Sequence, residues 1–128
     1  MALYPLPSVL VTDDDRDLRE NLGVVLEARG YHPLLAADGE EAVRIVSQEE
    51  VHLVLVDLHL PRWSGIETVQ RVREVHQEMP CIMMSAAWDE ANLAAARSMD
   101  VFSMLSKPLG QSQVTDSIQR ALSVAYDW

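Results

Sequence analysis

Short apolar runs alternate along this chain with longer segments in which apolar residues recur every three to four positions. A run of the first kind predicts a β-strand, and a segment of the second kind predicts a helix with one buried face. The first pair is an apolar run at 8–12 and a helical segment that is expected to end near Gly30. Further apolar runs predict strands at 31–36, 51–56, 81–84 and 101–105.

The segments that follow the later strands carry helix signals. Two of them open with a capping-box pattern, Asp38 with Glu41 and Ser64 with Glu67. An Ala-rich helix is predicted at 89–99, and a last helix from position 111 onward. Five strand–helix units in strict alternation predict an α/β fold, a doubly wound, five-stranded parallel sheet with helices on both faces.

Composition narrows the class of protein. The 128 residues fit one domain over 1–128, with residues 1–7 as an N-terminal tail. Asp and Glu number 20 against 10 Lys and Arg, and the resulting charge of −10 opposes direct binding of nucleic acid or anionic membranes. No apolar run approaches the roughly 20 residues of a membrane span. The single cysteine, Cys81, excludes an internal disulfide, so we expect a cytoplasmic protein.

Polar residues follow four of the five predicted strands at the point where each strand ends. Three aspartates occupy positions 13–15 after the first strand, and Asp57 follows the third. Ser85 follows the fourth strand and Lys107 the fifth. Because the carboxyl ends of parallel strands meet at one edge of the sheet, we expect these side chains to converge there.

These residue types suit phosphoryl transfer. Carboxylates held close together repel unless a cation neutralises them, and an all-oxygen set suits Mg²⁺ or Mn²⁺. A carboxylate such as Asp57 can attack phosphorus and form an aspartyl phosphate. The ammonium of Lys107 can balance charge on the phosphoryl oxygens, and the Ser85 hydroxyl can donate a hydrogen bond to them. Capping of the first helix explains one of the three aspartates, Asp15, but does not require all of them.

The motifs VLVTDDD, LVLVDLHLP, MMSAA and LSKP, in this order, resemble the receiver domain of bacterial two-component response regulators. The resemblance covers nearly the whole chain and implies the flavodoxin-like (βα)5 receiver fold. It implies that Asp57 is the phosphoacceptor. It also implies that Mg²⁺ is bound by Asp13, Asp14, Asp57 and the backbone carbonyl of His59.

The same resemblance implies how the domain works. Ser85 would be the switch hydroxyl, Lys107 the phosphate-binding lysine, and Pro108 the residue after a cis peptide bond. A histidine kinase or histidine phosphotransfer protein would supply the phosphoryl group. The phosphorylated domain would change the surface of its fourth helix, fifth strand and fifth helix toward a downstream partner that the sequence does not identify. It would assist its own phosphorylation and dephosphorylation without turning over a separate substrate.

Several positions depart from the family's usual pattern. Met104 stands where an aromatic residue is usual, and Phe102, two residues away, is expected on the same face at a different depth. Arg62 and Trp63 replace a pair of small residues. These departures keep open a second interpretation, a degenerate receiver that binds partners without phosphorylation. The apolar surface around Phe102 and Met104 also leaves a homodimer open.

Other interpretations fit the residues less well. A phosphatase of the aspartyl-phosphate kind would need an acid at position 59, where the chain has histidine. The histidines lack metal-ligand spacing, so a zinc site is not expected, and Cys81 is interpreted as a core residue. Trp63 and Trp88 are compatible with partner contact or with packing of loops against helices. The sequence also leaves open whether the chain is a stand-alone regulator or part of a longer protein.

Overall fold

The computed structural model describes residues 6–128, which form five strands and five helices in strict alternation. The strands are β1 (Ser8–Thr12), β2 (His32–Ala36), β3 (Leu53–Asp57), β4 (Cys81–Ser85) and β5 (Ser103–Ser106). The helices are α1 (Arg16–Ala28), α2 (Gly39–Gln48), α3 (Gly65–Val75), α4 (Glu90–Ser98) and α5 (Gln111–Tyr126). All strand pairs are parallel, and the strand order is β2-β1-β3-β4-β5. The predicted fold class is confirmed.

Alternating side chains of the strands fill two apolar layers, one on each face of the sheet. On one face Leu10 and Val54 pack with residues of α2, α3 and α4. On the other face Val9 and Leu55 pack with residues of α1 and α5. Every residue of β3 is buried, as expected of a central strand covered by helices on both sides. Burial of each large aliphatic side chain stabilises the fold by about 1.5–3 kcal/mol.

The helices begin just past the carboxyl edge of the sheet, where short polar side chains cap them. The Asp15 carboxylate accepts the backbone N–H groups of Asp17 and Leu18, which confirms its capping role. Asp38 caps α2 and Ser64 caps α3, as the capping boxes predict. These caps satisfy N–H groups that the first helical turn leaves without a partner.

The fifth strand differs from its prediction. It begins at Ser103 and not at Val101. Phe102 therefore precedes the regular alternation, and it packs on the α1 and α5 side of the sheet. Met104 packs on the opposite side, against the layer formed with α2, α3 and α4. The expectation that Phe102 and Met104 share a face is wrong, because Phe102 is not part of the strand.

The N-terminal tail is described only in part. Residues 1–5 of the predicted tail lie outside the described residues, and the carbonyl of Pro7 accepts the N–H of His32. In the part of the chain that the structure describes, no helix has the length and apolar character needed to span a membrane.

Candidate phosphoacceptor and metal site

Three of the predicted side chains make direct contact at the carboxyl edge of the sheet. Asp13 directly follows β1 and is fully buried, and Asp57 is the buried last residue of β3. Lys107 follows β5, and its ammonium nitrogen lies 2.6 Å from Oδ2 of Asp13 and 2.6 Å from Oδ2 of Asp57. Since β3 lies between β1 and β4, Asp57 occupies the centre of this edge.

Each of the two buried carboxylates also accepts a backbone N–H group. Oδ1 of Asp13 accepts the N–H of Asp15 at 2.8 Å, and Oδ1 of Asp57 accepts the N–H of His59 at 2.9 Å. One oxygen of each acid therefore contacts Lys107, and the other is oriented by the loop that follows its strand. Lys107 is the only lysine in the sequence.

Burial and charge act on Asp57 and Lys107 in opposing directions. Burial raises the pKa of Asp57 and the charge of Asp13 adds to the rise, while the Lys107 ammonium and the His59 N–H oppose it. Burial by itself would lower the pKa of Lys107, but the hydrogen bonds and charges of Asp13 and Asp57 raise it above its ordinary value. Lys107 therefore keeps its proton and partly compensates the charge of two buried acids.

The acidic residues at this edge fit a divalent cation. Carboxylate oxygens of Asp13, Asp14 and Asp57 lie within 4.8 Å of one another. Asp14 is exposed, so this group opens toward solvent on one side. An all-oxygen donor set that leaves room for water is the kind that Mg²⁺ prefers. No other such group of His, Cys, Asp or Glu occurs within residues 6–128.

Ser85 and its loop complete the edge, and the Ser85 hydroxyl makes no hydrogen bond to the Asp57 carboxylate. The Ser85 side chain is fully buried, and its hydroxyl oxygen accepts the N–H of Ala87 at 3.0 Å. The peptide bond between Lys107 and Pro108 is cis, as the family resemblance implies. Met104 is partly buried and contributes no polar group to the edge.

Two residues that support the site were not singled out from the sequence. A Cβ atom on Gly65 would lie 2.4 Å from the Asp57 carbonyl oxygen and 2.7 Å from Cα of Leu58, so the loop closes tightly against this glycine. Gly65 directly follows the cap residue Ser64, which was a usable signal. The guanidinium of Arg19 donates to the backbone carbonyl of Asp13 at 2.8 Å, and no local pattern indicates this contact.

The side chains with competing interpretations are engaged within the fold. Trp63 lies against the guanidinium of Arg71, 5.0 Å from the ring centroid. Trp88 donates its indole N–H to the carbonyl of Leu105 at 2.9 Å. Cys81 is fully buried, and burial raises the pKa of its thiol to about 11, in keeping with a core residue.

The fold is that of CheY-like receiver domains. A receiver domain protein of this kind from Methanospirillum hungatei superimposes with a TM-score of 0.91 over 95% of this chain and 98% of that chain, at 23% identity. The receiver domain of a modulated diguanylate cyclase from Desulfovibrio desulfuricans is 30% identical, with a TM-score of 0.85 over 94% of this chain and 96% of that chain.

The family model described as the response regulator receiver domain matches residues 9–119, and the chain belongs to this family. The transcriptional regulatory protein GlrR of Escherichia coli is 32% identical over 89% of this chain and 26% of its own length. Sporulation initiation phosphotransferase F of Bacillus subtilis is 27% identical over 89% of this chain and 92% of its own. The chain spans about a quarter to a half of the first curated relatives it matches. Phosphorylation and Mg²⁺ binding are typical of this family of bacterial two-component systems.

Proposed function

We propose that Asp57 accepts a phosphoryl group from a phosphohistidine of a histidine kinase or histidine phosphotransfer protein. The observation that carries the proposal is the position of its carboxylate, which is held at the centre of the sheet edge between Lys107 and the acidic group of Asp13 and Asp14. A buried carboxylate needs neighbours of this kind to remain ionised, and the ionised form is the nucleophile.

The chemistry is a displacement at phosphorus. A carboxylate oxygen of Asp57 forms a bond to phosphorus as the bond from phosphorus to the donor nitrogen breaks. The donor imidazole, already protonated on its second nitrogen, leaves as a neutral base. The ammonium of Lys107 balances charge on the transferred oxygens. Mg²⁺ held by Asp13, Asp14, Asp57 and the His59 carbonyl would supply further positive charge to the same oxygens.

Phosphorylation then changes the surface of the domain. The new group adds about −1.5 to −2 charges at the sheet edge. The Ser85 hydroxyl donates to one of its oxygens, and the loop after β4 follows. The surface of α4, β5 and α5 would be altered toward a downstream partner. The domain assists its own phosphorylation and dephosphorylation and turns over no separate substrate.

The net charge of the chain and its family bear on the partners and the cellular location of the domain. A charge of −10 opposes direct nucleic-acid binding by this domain, whichever further modules its relatives carry. We propose a cytoplasmic location, where histidine kinases present their phosphohistidine.

A phosphorylation-independent interaction module is the second candidate. Arg62 favours it, because its guanidinium binds the carboxylates of Asp38 at 2.8 Å and Glu40 at 3.0 Å and so ties the loop after Asp57 to α2. A loop held in this way would present a constant surface. This candidate predicts partner binding that is unchanged by phosphodonor and Mg²⁺.

Intact-mass measurement after incubation with acetyl phosphate and Mg²⁺ separates the two candidates. We expect one phosphoryl adduct on the wild type and its loss when Mg²⁺ is chelated. Asp57→Asn should form none. Asp15→Asn is the matched control and should still be labelled, because asparagine caps a helix as well as aspartate does. Absence of an adduct on the wild type at donor excess would favour the interaction module.

A further inference from the structure

Trp88 connects the loop after β4 to β5, the edge strand of the sheet, by a hydrogen bond. It lies three residues after Ser85, and its indole N–H donates to the backbone carbonyl of Leu105, 2.9 Å away. β5 has a strand neighbour on one side only. The Trp88 ring packs with Met104 against the apolar layer shared with α4. The hydrogen bond therefore joins the loop to β5, and the side chains of Trp88 and Met104 border the same apolar layer.

The loop between Ser85 and α4 is short and is constrained by hydrogen bonds at both ends. The Ser85 hydroxyl accepts the N–H of Ala87, and the Asp89 carboxylate accepts the N–H of Asn92 at 2.7 Å to begin α4. Successive Cα atoms are a fixed distance of about 3.8 Å apart, so a short loop cannot absorb a large displacement of one end. A shift of Ser85 toward Asp57 therefore also displaces the residues that follow it. Trp88 lies in the middle of this path.

Methionine at position 104 cannot donate a hydrogen bond. Within residues 6–128, Trp88 supplies the side-chain hydrogen bond that connects this loop to β5. We propose that Trp88 is a positioning residue that latches the loop to β5 while Asp57 is unphosphorylated, and that the latch opens when Ser85 engages the phosphoryl group. This inference rests on the proposed function of Asp57.

The latch has a consequence of definite sign. If the closed latch and the phosphoryl-bound loop exclude each other, the latch weakens phosphoryl binding by up to the factor by which it stabilises the closed loop. Removing the latch should therefore strengthen phosphoryl binding by up to that factor. One ordinary hydrogen bond corresponds to a factor of roughly three to ten. If Trp88 only supported the fold, its loss would leave the loop less ordered, and phosphoryl binding would become weaker or stay unchanged.

Beryllofluoride, a noncovalent mimic of the phosphoryl group, tests the latch as a binding equilibrium in the presence of Mg²⁺. Trp88→Phe keeps an aromatic ring and removes the N–H, and we expect its calorimetric Kd to be about three to ten times lower than that of the wild type. Trp63→Phe is the matched control and should bind as the wild type does. In the double variant Trp63→Phe/Trp128→Phe, we expect the emission of Trp88 to shift to longer wavelength on binding.

The outcomes separate the latch from the proposed function. Wild-type binding together with an unchanged or higher Kd for Trp88→Phe overturns the latch alone. An unchanged Trp88 emission on binding overturns it as well, and this measurement does not depend on how well Trp88→Phe folds. If the wild type itself does not bind beryllofluoride with Mg²⁺, the proposed function of Asp57 fails and the latch fails with it.

Discussion

The ammonium of Lys107 lies 2.6 Å from a carboxylate oxygen of Asp57 and makes a second contact of the same length with Asp13. Both acids are buried, and Asp13 is inaccessible to solvent. Removing one partner of a buried ion pair leaves a charge that neither water nor protein compensates. The lysine that would balance a transferred phosphoryl group therefore also stabilises the resting fold.

Lys107→Ala should lower the free energy of unfolding by about 3 kcal/mol in the absence of metal. Mg²⁺ should restore part of this loss, because a cation bound by the acids replaces the missing charge. Urea unfolding with and without Mg²⁺ measures both effects. Arg44→Ala is the control, since its exposed ion pair with Glu41 is worth less than about 0.5 kcal/mol. Equal losses in the two variants would contradict the role of Lys107.

The ionisation of Lys107 can be followed by its reaction with acetic anhydride, because the chain has no other lysine. The two acids raise the pKa of this amine, so its reactive neutral form should appear at higher pH than for an ordinary lysine at 10.5. Mass mapping of acetylation against pH gives the midpoint. In Asp57→Asn the midpoint should move down, since one of the two acids is gone. A midpoint at the ordinary value in the wild type would rule out the ion pairs.

The ionisation of Asp57 should make the folded protein less stable as the pH rises. Burial raises its pKa above 3.8, so its contribution to stability is fully present below pH 3.8 and is lost as the pH rises through the folded value. Without metal, Asp57→Asn should therefore melt at higher temperature than the wild type near pH 7, and the difference should shrink toward pH 4. Added Mg²⁺ should raise the melting temperature of the wild type and not that of Asp57→Asn. Asp15→Asn should follow the wild type, and a lower melting temperature for Asp57→Asn at pH 7 would contradict the prediction.

The sequence predicts the central features well because they depend on strong local patterns and on sheet geometry. Five apolar runs place five strands, and parallel pairing then brings Asp13, Asp57 and Lys107 to one edge. The features that the sequence does not predict correctly depend on tertiary packing. Phe102 lies on the opposite face from Met104, contrary to the prediction, because the start of the edge strand is weakly specified by sequence. The contact of Trp88 with Leu105 joins the loop after β4 to the strand β5 and leaves no local pattern.

Gly65 shows a constraint on the site that only close packing reveals. A methyl group there would approach the Asp57 carbonyl oxygen to 2.4 Å and Cα of Leu58 to 2.7 Å, and both atoms belong to the backbone, which cannot rotate aside. The N–H of Gly65 also donates to the Leu58 carbonyl at 2.8 Å, so a shift of the glycine moves the turn that carries His59.

Gly65→Ala should therefore lower the free energy of unfolding by about 2 kcal/mol, in the range of overpacked sites. It should also slow adduct formation with acetyl phosphate, because His59 orients Asp57 through its N–H. Urea unfolding and the initial rate of adduct formation measure the two effects. Gly23→Ala is the matched control, since a methyl group there meets nothing closer than Cδ2 of Leu35 at 3.8 Å. If both variants kept wild-type stability and rate, the tight closure of the loop against Gly65 would have no part in holding Asp57.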